Sequence, residues 1–272
     1  MAEQALRGPG GVEIVVLPDA AEVAREAARR TMVALAAAIA GHHVAHIALT
    51  GGSTAGPLYR ELAAPENRGA LDWSRVHLWW GDERFVPSDH PDSNAGLAYA
   101  ELLGASEDAT DQLPIDPGNV HPVPVEEALS DDDPVDLAAQ RYAEELTRHV
   151  LLAHGGVPRF DVLLSGLGPD GHILSIFPGS AALAPDAPIA LAIPAPEHVE
   201  PHVARVTLSA RVIAEAGTVL VMVTGAAKQT VLASVLGTVS DVNRWPAQSA
   251  LLPSAAWLID AAAAAQWGAA RK

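Results

Sequence analysis

The chain has no cysteine and, apart from its final residue, a single lysine, Lys228. Without cysteine there is no disulfide, no thiolate nucleophile and no cysteine-ligated metal site. Aromatic residues make up only 4% of the 272 positions against 49% hydrophobic overall, so aliphatic side chains and alanine must fill the core. Positive charge is in deficit. Lys and Arg number 17 against 33 Asp and Glu, a net charge of −16, which argues against general binding to nucleic acid or to an anionic membrane. No membrane span is expected either. The most apolar stretch, "TMVALAAAIAGHHVAHIALT", is broken by Gly41 and three histidines and reads as a helix end, a turn and a strand. The opening "MAEQALRGPGG" lacks the basic flank and apolar core of a signal peptide, so a cytoplasmic protein is expected. There is no HExxH, and His42–His43 stand without spaced carboxylates, so neither metal nor other cofactor is expected.

What is present is alternation. "VEIVVL" (12–17) precedes an alanine-rich helix with Asp19 as its N-cap, and "HIALT" (46–50) runs into "GGSTAGPLYREL". "VHLWWGDER" (76–84) leads to "SNAGLAYAELLG", a helix over "DLAAQRYAEELTRHVLLAH" precedes "FDVLLSGLG" (160–168), and "TVLVMVTG" (218–225) feeds "AAKQTVLASVLG". Short apolar strands separated by helices predict an α/β fold, a mainly parallel sheet with helices on both faces, Rossmann-like. The proline- and acid-rich segment 105–135 reads as a surface excursion with a short strand at "NVHPVPV", and 185–205 as irregular. No internal repeat or linker is visible, so residues 1–272 are expected to form one domain.

In such a sheet ligands bind beyond the carboxyl ends of the strands, and the polar glycine turns fall there. In "LTGGSTAGPLYREL", Gly51 and Gly52 let backbone approach a ligand, while Ser53 and Thr54 are placed to cap a helix whose N-terminus suits phosphate. In "GDER", three consecutive charges read as a solvated turn, but at a strand's carboxyl end Arg84 is a candidate anion ligand, with Asp82 and Glu83 orienting it or substrate hydroxyls. Lys228 falls in the first turn of a helix, where the macrodipole disfavours a cation unless an anion lies between. In "GLGPDGHILSIFPGS" (166–180), Gly166, Gly168 and Gly171 permit a tight loop from which Asp170 and His172 point into a cleft. Histidine suits proton transfer near neutral pH, and neither Ser165 nor Ser175 sits in a GxSxG elbow.

These blocks, together with "RVTLSARVI" and "WLID", resemble the 6-phosphogluconolactonase family, relatives of glucosamine-6-phosphate deaminase, over nearly the whole chain. The resemblance implies a fold of the deaminase and ribose-5-phosphate isomerase group and hydrolysis of 6-phospho-D-glucono-1,5-lactone in the oxidative pentose phosphate pathway. It also implies His172 as the base, and an anionic-substrate site of the "GGST" loop, Arg84, Arg205 and Lys228. Asp82, Gly168 and Gly171 complete the expected substrate-binding set, and Asp170 either orients His172 or binds a sugar hydroxyl. The expected partner is the phosphosugar lactone alone, with the chain a monomer or weak homo-oligomer. The chain departs from the family in three places: Ile173–Leu174 where Thr-Ala is common, Ala55 where proline is, and Pro169 where acid is. Two alternatives remain, a sugar-phosphate isomerase/deaminase and a non-catalytic sugar-phosphate sensor. The deaminases carry an Asn-Glu-Pro segment after the histidine block, where this chain has "SIFPGS" without an acid.

Overall fold

The computed structural model describes residues 4–104, 112–129, 131, 134–237 and 239–269. Strands β1 (Gln4–Arg7), β2 (Glu13–Leu17), β3 (Ala45–Leu49), β4 (Val76–Trp80), β6 (Val162–Gly166), β9 (Thr218–Val223) and β10 (Ala255–Asp260) build one sheet, with β5 (Asp82–Arg84), β7 (Ala190–Ile193) and β8 (Arg205–Leu208) standing apart. The large sheet runs β1-β2-β10-β9-β6-β3-β4 and is parallel except for the antiparallel β1 edge; the small one is antiparallel, ordered β5-β8-β7. β3 and β10 are buried at every position, as strands covered on both faces must be.

The helices are α1 (Ala20–His42), α2 (Ala55–Leu62), α3 (Pro65–Arg68), α4 (Asn94–Ala98), α5 (Val125–Ala128), α6 (Pro134–His149), α7 (Ala210–Glu215), α8 (Gln229–Val235) and α9 (Ala261–Ala269). α1 shows how the sequence sets such an element. Asp19 accepts from the Glu22 N–H at its start, His43 closes it in the left-handed conformation, and Val23, Ala27, Thr31, Leu35 and Ala38 recur at helical spacing on its buried face. Right-handed crossovers place α1 and α2 on one face of the sheet and α6, α7 and α8 on the other. The contact of α1 with α2 follows that division, and α9 packs against α8. A continuous apolar core runs from Val12 to Trp267.

The chain turns from β3 onto one face and from β6 onto the other, so their following loops diverge between adjacent strands. That switch point is where an open α/β sheet presents a ligand crevice. The order departs from a doubly wound dinucleotide fold in one respect: the first parallel strand, β2, lies beyond β10 rather than beside β3.

Several expectations need correcting. The "irregular" segment 185–205 contains β7, and Asp82–Arg84 form a strand of the small sheet rather than a loop. The strand expected at "NVHPVPV" is a single bridge, Val120 to Leu78, because Pro122 and Pro124 have no N–H to extend a ladder. The excursion is not wholly superficial, since Leu113, His121, Val123, Val125 and Ala128 are buried; positions 105–111, 130, 132 and 133 lie outside the described residues.

Candidate active site

A cleft of about 190 Å³ opens at the switch point, walled by the loops after β3, β6 and β9 and by residues of the small sheet. On the β3 side, Tyr59 holds the strand end, its hydroxyl donating to the Thr50 carbonyl at 2.5 Å and accepting from the Thr50 N–H at 3.1 Å. Gly51 is required by space. A Cβ there would lie 1.7 Å from Asn94 Oδ1. Ser53 and Thr54 line the cleft, but the expected capping does not occur: Thr54 is in the αR conformation and its side chain makes no capping bond to α2. A capping hydroxyl needs extended backbone to reach the N2 or N3 amide.

Glu83 organises the second wall. Its buried carboxylate accepts from the N–H groups of Arg84 (2.7 Å), Asn94 (2.7 Å) and Ala95 (2.6 Å), joining β5 to the start of α4. Burial pushes Glu83 up to about 7 despite those donors, with Asp82 adding to the rise. Asp82 accepts from Ser175 Oγ at 2.6 Å. Neither carboxylate pairs with the Arg84 guanidinium, contrary to expectation, because both are occupied in fastening loops together.

Arg84 and Arg205 are cross-strand partners on β5 and β8, which puts two like charges on one face. Arg84 Nη1 donates to the Asp92 carbonyl at 2.6 Å and Arg205 Nη2 to the Pro201 carbonyl at 3.0 Å. Both Nε groups are buried without a partner. Arg205 is only 2% exposed and lies 5.3 Å over the Phe177 ring. Burial, and then the Arg84 charge, lower its affinity for a proton, while Asp82, Asp92 and Asp170 oppose this. One buried and one half-buried guanidinium, each with a spare buried Nε donor, are an arrangement that an anion would complete.

Lys228 sits at the N-cap of α8, one position before the helix proper, and donates from Nζ to the Leu167 carbonyl at 2.7 Å. Burial lowers its pKa and the Asp170 charge raises it in part. Between these cations lies the β6 loop. His172 Nδ1 and Asp170 Oδ1 are 2.5 Å apart, and the His172 N–H also donates to that oxygen at 3.2 Å. Burial works against the Asp170 charge, but the hydrogen bond and charge of His172, with a further bond from His198, hold this carboxyl well below the usual carboxylate range. An ionised Asp170 only accepts. Nδ1 of His172 therefore carries hydrogen, which leaves Nε2 as the basic nitrogen.

The model of the glucosamine-6-phosphate isomerase/6-phosphogluconolactonase family matches residues 18–258. The chain belongs to this family. It is 34% identical over 255 residues to a 6-phosphogluconolactonase of Streptomyces coelicolor, covering 93% of this chain and 94% of that one. It is 33% identical to one of Mycobacterium leprae, covering 93% and 97%. Among solved structures, the 6-phosphogluconolactonase of Trypanosoma brucei superposes with a TM-score of 0.79 at 29% identity, over 93% of this chain and 97% of that one. A monomeric glucosamine-6-phosphate deaminase shares the fold, with a TM-score of 0.74 at 19% identity.

Within this family fold the cleft brings together Gly51, Gly52, Ser53, Thr54, Asp82, Arg84, Gly168, His172, Arg205 and Lys228. Asp170 stands behind His172, and Gly171 packs under the Trp245 ring; neither forms the cleft wall. Sequence reading missed Asn94, Glu200 and Thr224 on the wall, and His198 on Asp170. Ser93 before a helix was a usable signal for Asn94, since its hydroxyl caps α4 at the Gly96 N–H. Nothing in the spacing marks His198. Among the described residues no cluster of three or more His, Asp or Glu is arranged to hold a metal ion, and no helix is long and apolar enough to cross a membrane.

Proposed function

We propose that the protein hydrolyses 6-phospho-D-glucono-1,5-lactone to 6-phospho-D-gluconate, with His172 as general base. The observation that carries this reading is His172, backed by Asp170, lining one cleft with Arg84, Arg205 and Lys228. The family and the names of its lactonase relatives support it. A δ-lactone holds its ester in the E geometry and is already activated toward water, so no covalent intermediate is required. Nε2 of His172 takes a proton from water as the water oxygen bonds to C1. The tetrahedral intermediate then expels the ring oxygen, which receives that proton from the imidazolium. Asp170 keeps Nε2 aimed at the water and stabilises the imidazolium. Base assistance of this kind supplies roughly 10²–10⁴-fold. No step calls for a cofactor.

A coupled assay comparing release of 6-phosphogluconate with ammonia release from glucosamine 6-phosphate tests the reaction. Lactone hydrolysis well above the spontaneous background, without ammonia, is expected. Ammonia release without lactonase activity would make the protein a deaminase, although Ile176–Ser180 offers no carboxylate for ring opening. Saturable phosphosugar binding without turnover would make it a sensor.

The cations serve the phosphate end. Against a net charge of −16 the attraction must be local and partly desolvated. Each charge-assisted hydrogen bond contributes about 1.5–3 kcal/mol. Lys228→Ala is expected to raise KM about ten- to a hundredfold, at about 1.4 kcal/mol per decade. Added salt should weaken phosphorylated substrate more in wild type than in the variant. An unphosphorylated gluconolactone should lose little; equal losses on both substrates would place Lys228 outside the phosphate site.

A further inference from the structure

Asp170 serves two histidines. Its Oδ1 meets His172 Nδ1, and its Oδ2 meets Nε2 of His198 at 2.9 Å. The two imidazoles differ in setting. His172 is enclosed by the cleft, whereas the His198 side chain is 56% exposed. Phe177 lies between them, its ring 4.7 Å from that of His172 and 5.8 Å, edge-on, from that of His198. The next residue, Val199, packs with Phe177 and Ile193 in a small apolar cluster that anchors this segment to β7, and Glu200 beyond it reaches the cleft wall.

We infer that His198 is a positioning residue for the lactonase reaction: it fixes the Asp170 carboxylate by its second oxygen and so holds the line from Asp170 to His172. The inference rests on the reading of His172 as the base. The physical argument has two parts. A carboxylate held by one oxygen alone can rotate about its side-chain torsions; a donor on the other oxygen removes that freedom and fixes the line to Nδ1. Asp170 accepts only, so the donor hydrogen is on His198 Nε2. The orientation of the base is thus set by a residue outside the cleft wall.

The other charges around the pair are Lys228 and Arg205, which both act on Asp170, Glu200 on the cleft wall, and Glu197 and His202 in the segment of His198. A substitution at His198 leaves all of them in place. His198→Gln keeps an N–H donor to Asp170, and His198→Ala removes it. At pH 8 the Ala variant is expected to lose about three- to tenfold in kcat with KM near wild type, and the Gln variant to recover most of that loss. In the ligand-free protein, the low-field NMR resonance of the His172–Asp170 hydrogen bond should be broadened or displaced in the Ala variant and restored in the Gln variant.

That resonance does not depend on which reaction is catalysed. If it behaves as described while the rate profiles stay unchanged, His172 is not the base, and the hold of His198 on Asp170 stands. If the resonance is the same in all three proteins, the inference is overturned whatever the rates. Equal kcat losses in both variants would also overturn it, since His198 would then act only by its bulk.

Discussion

His172→Ala and His172→Asn are expected to lose about 10²–10⁴-fold in turnover above the spontaneous background while binding phosphosugar within a few-fold of wild type. The split follows from the arrangement of the cleft. The proton acceptor is one side chain on the β6 loop, whereas the cations lie on β5, β8 and the start of α8. Removing the imidazole therefore leaves anion binding intact. Asparagine is the more telling variant, because its amide can still donate to Asp170 and so preserves the loop while abolishing the base. Initial rates should be corrected for unaided lactone opening. Binding is followed by a competing phosphosugar, 6-phosphogluconate. Turnover near wild type in the Asn variant would assign the base to another group.

The second large effect comes from a residue with no side chain. A Cβ on Gly168 would lie 2.1 Å from both Nδ1 and Cε1 of His172, whereas nonbonded carbon and nitrogen atoms settle near 3.5 Å. The imidazole cannot swing clear without cost. Nδ1 is tied to Asp170, and the His172 carbonyl accepts from the Gly168 N–H at 2.9 Å. Gly168→Ala must therefore push the ring by about 1 Å or open the loop, and a displacement of that size costs on the order of 10²-fold in rate. We expect kcat to fall by about that factor with KM little altered and far-UV circular dichroism unchanged. An alanine variant with wild-type kcat would mean that the ring position seen here is not the working one.

The glycine turns that carry this site were legible because each follows an apolar strand. A run such as "FDVLLSG" identifies its own carboxyl end, and the topology of parallel sheets then gathers such ends at one edge. Length defeated the reading elsewhere. β5, β7 and β8 have three or four residues each, too few for alternation to register. β5 reads as the solvated turn Asp82–Glu83–Arg84, yet its acids are buried, and what keeps Glu83 buried is a set of amides on α4, eleven and twelve positions further on. The pairing of Arg84 with Arg205 is likewise invisible in sequence, since 121 residues separate strands that meet only in three dimensions. His198 was missed for the same reason: its partner lies in another loop, and nothing local to "PEHVEPHV" calls for one.

The position of β10 has a consequence for how the protein is made. Residues 255–260 insert between β2, near the start of the chain, and β9, with Trp257 registered on Ile14 and Val221. Until they emerge from the ribosome, β2 has a partner only on the β1 side and β9 only on the β6 side. The row of unpaired backbone donors and acceptors on β2, a strand rich in valine, isoleucine and leucine, stays open from residue 17 until β10 is made, and the row on β9 stays open from residue 223. Closing the sheet then demands a contact between residues some 240 positions apart, a slow, entropy-limited step. Until β10 closes them, those two edges are where the nascent chain is exposed to pairing with other chains.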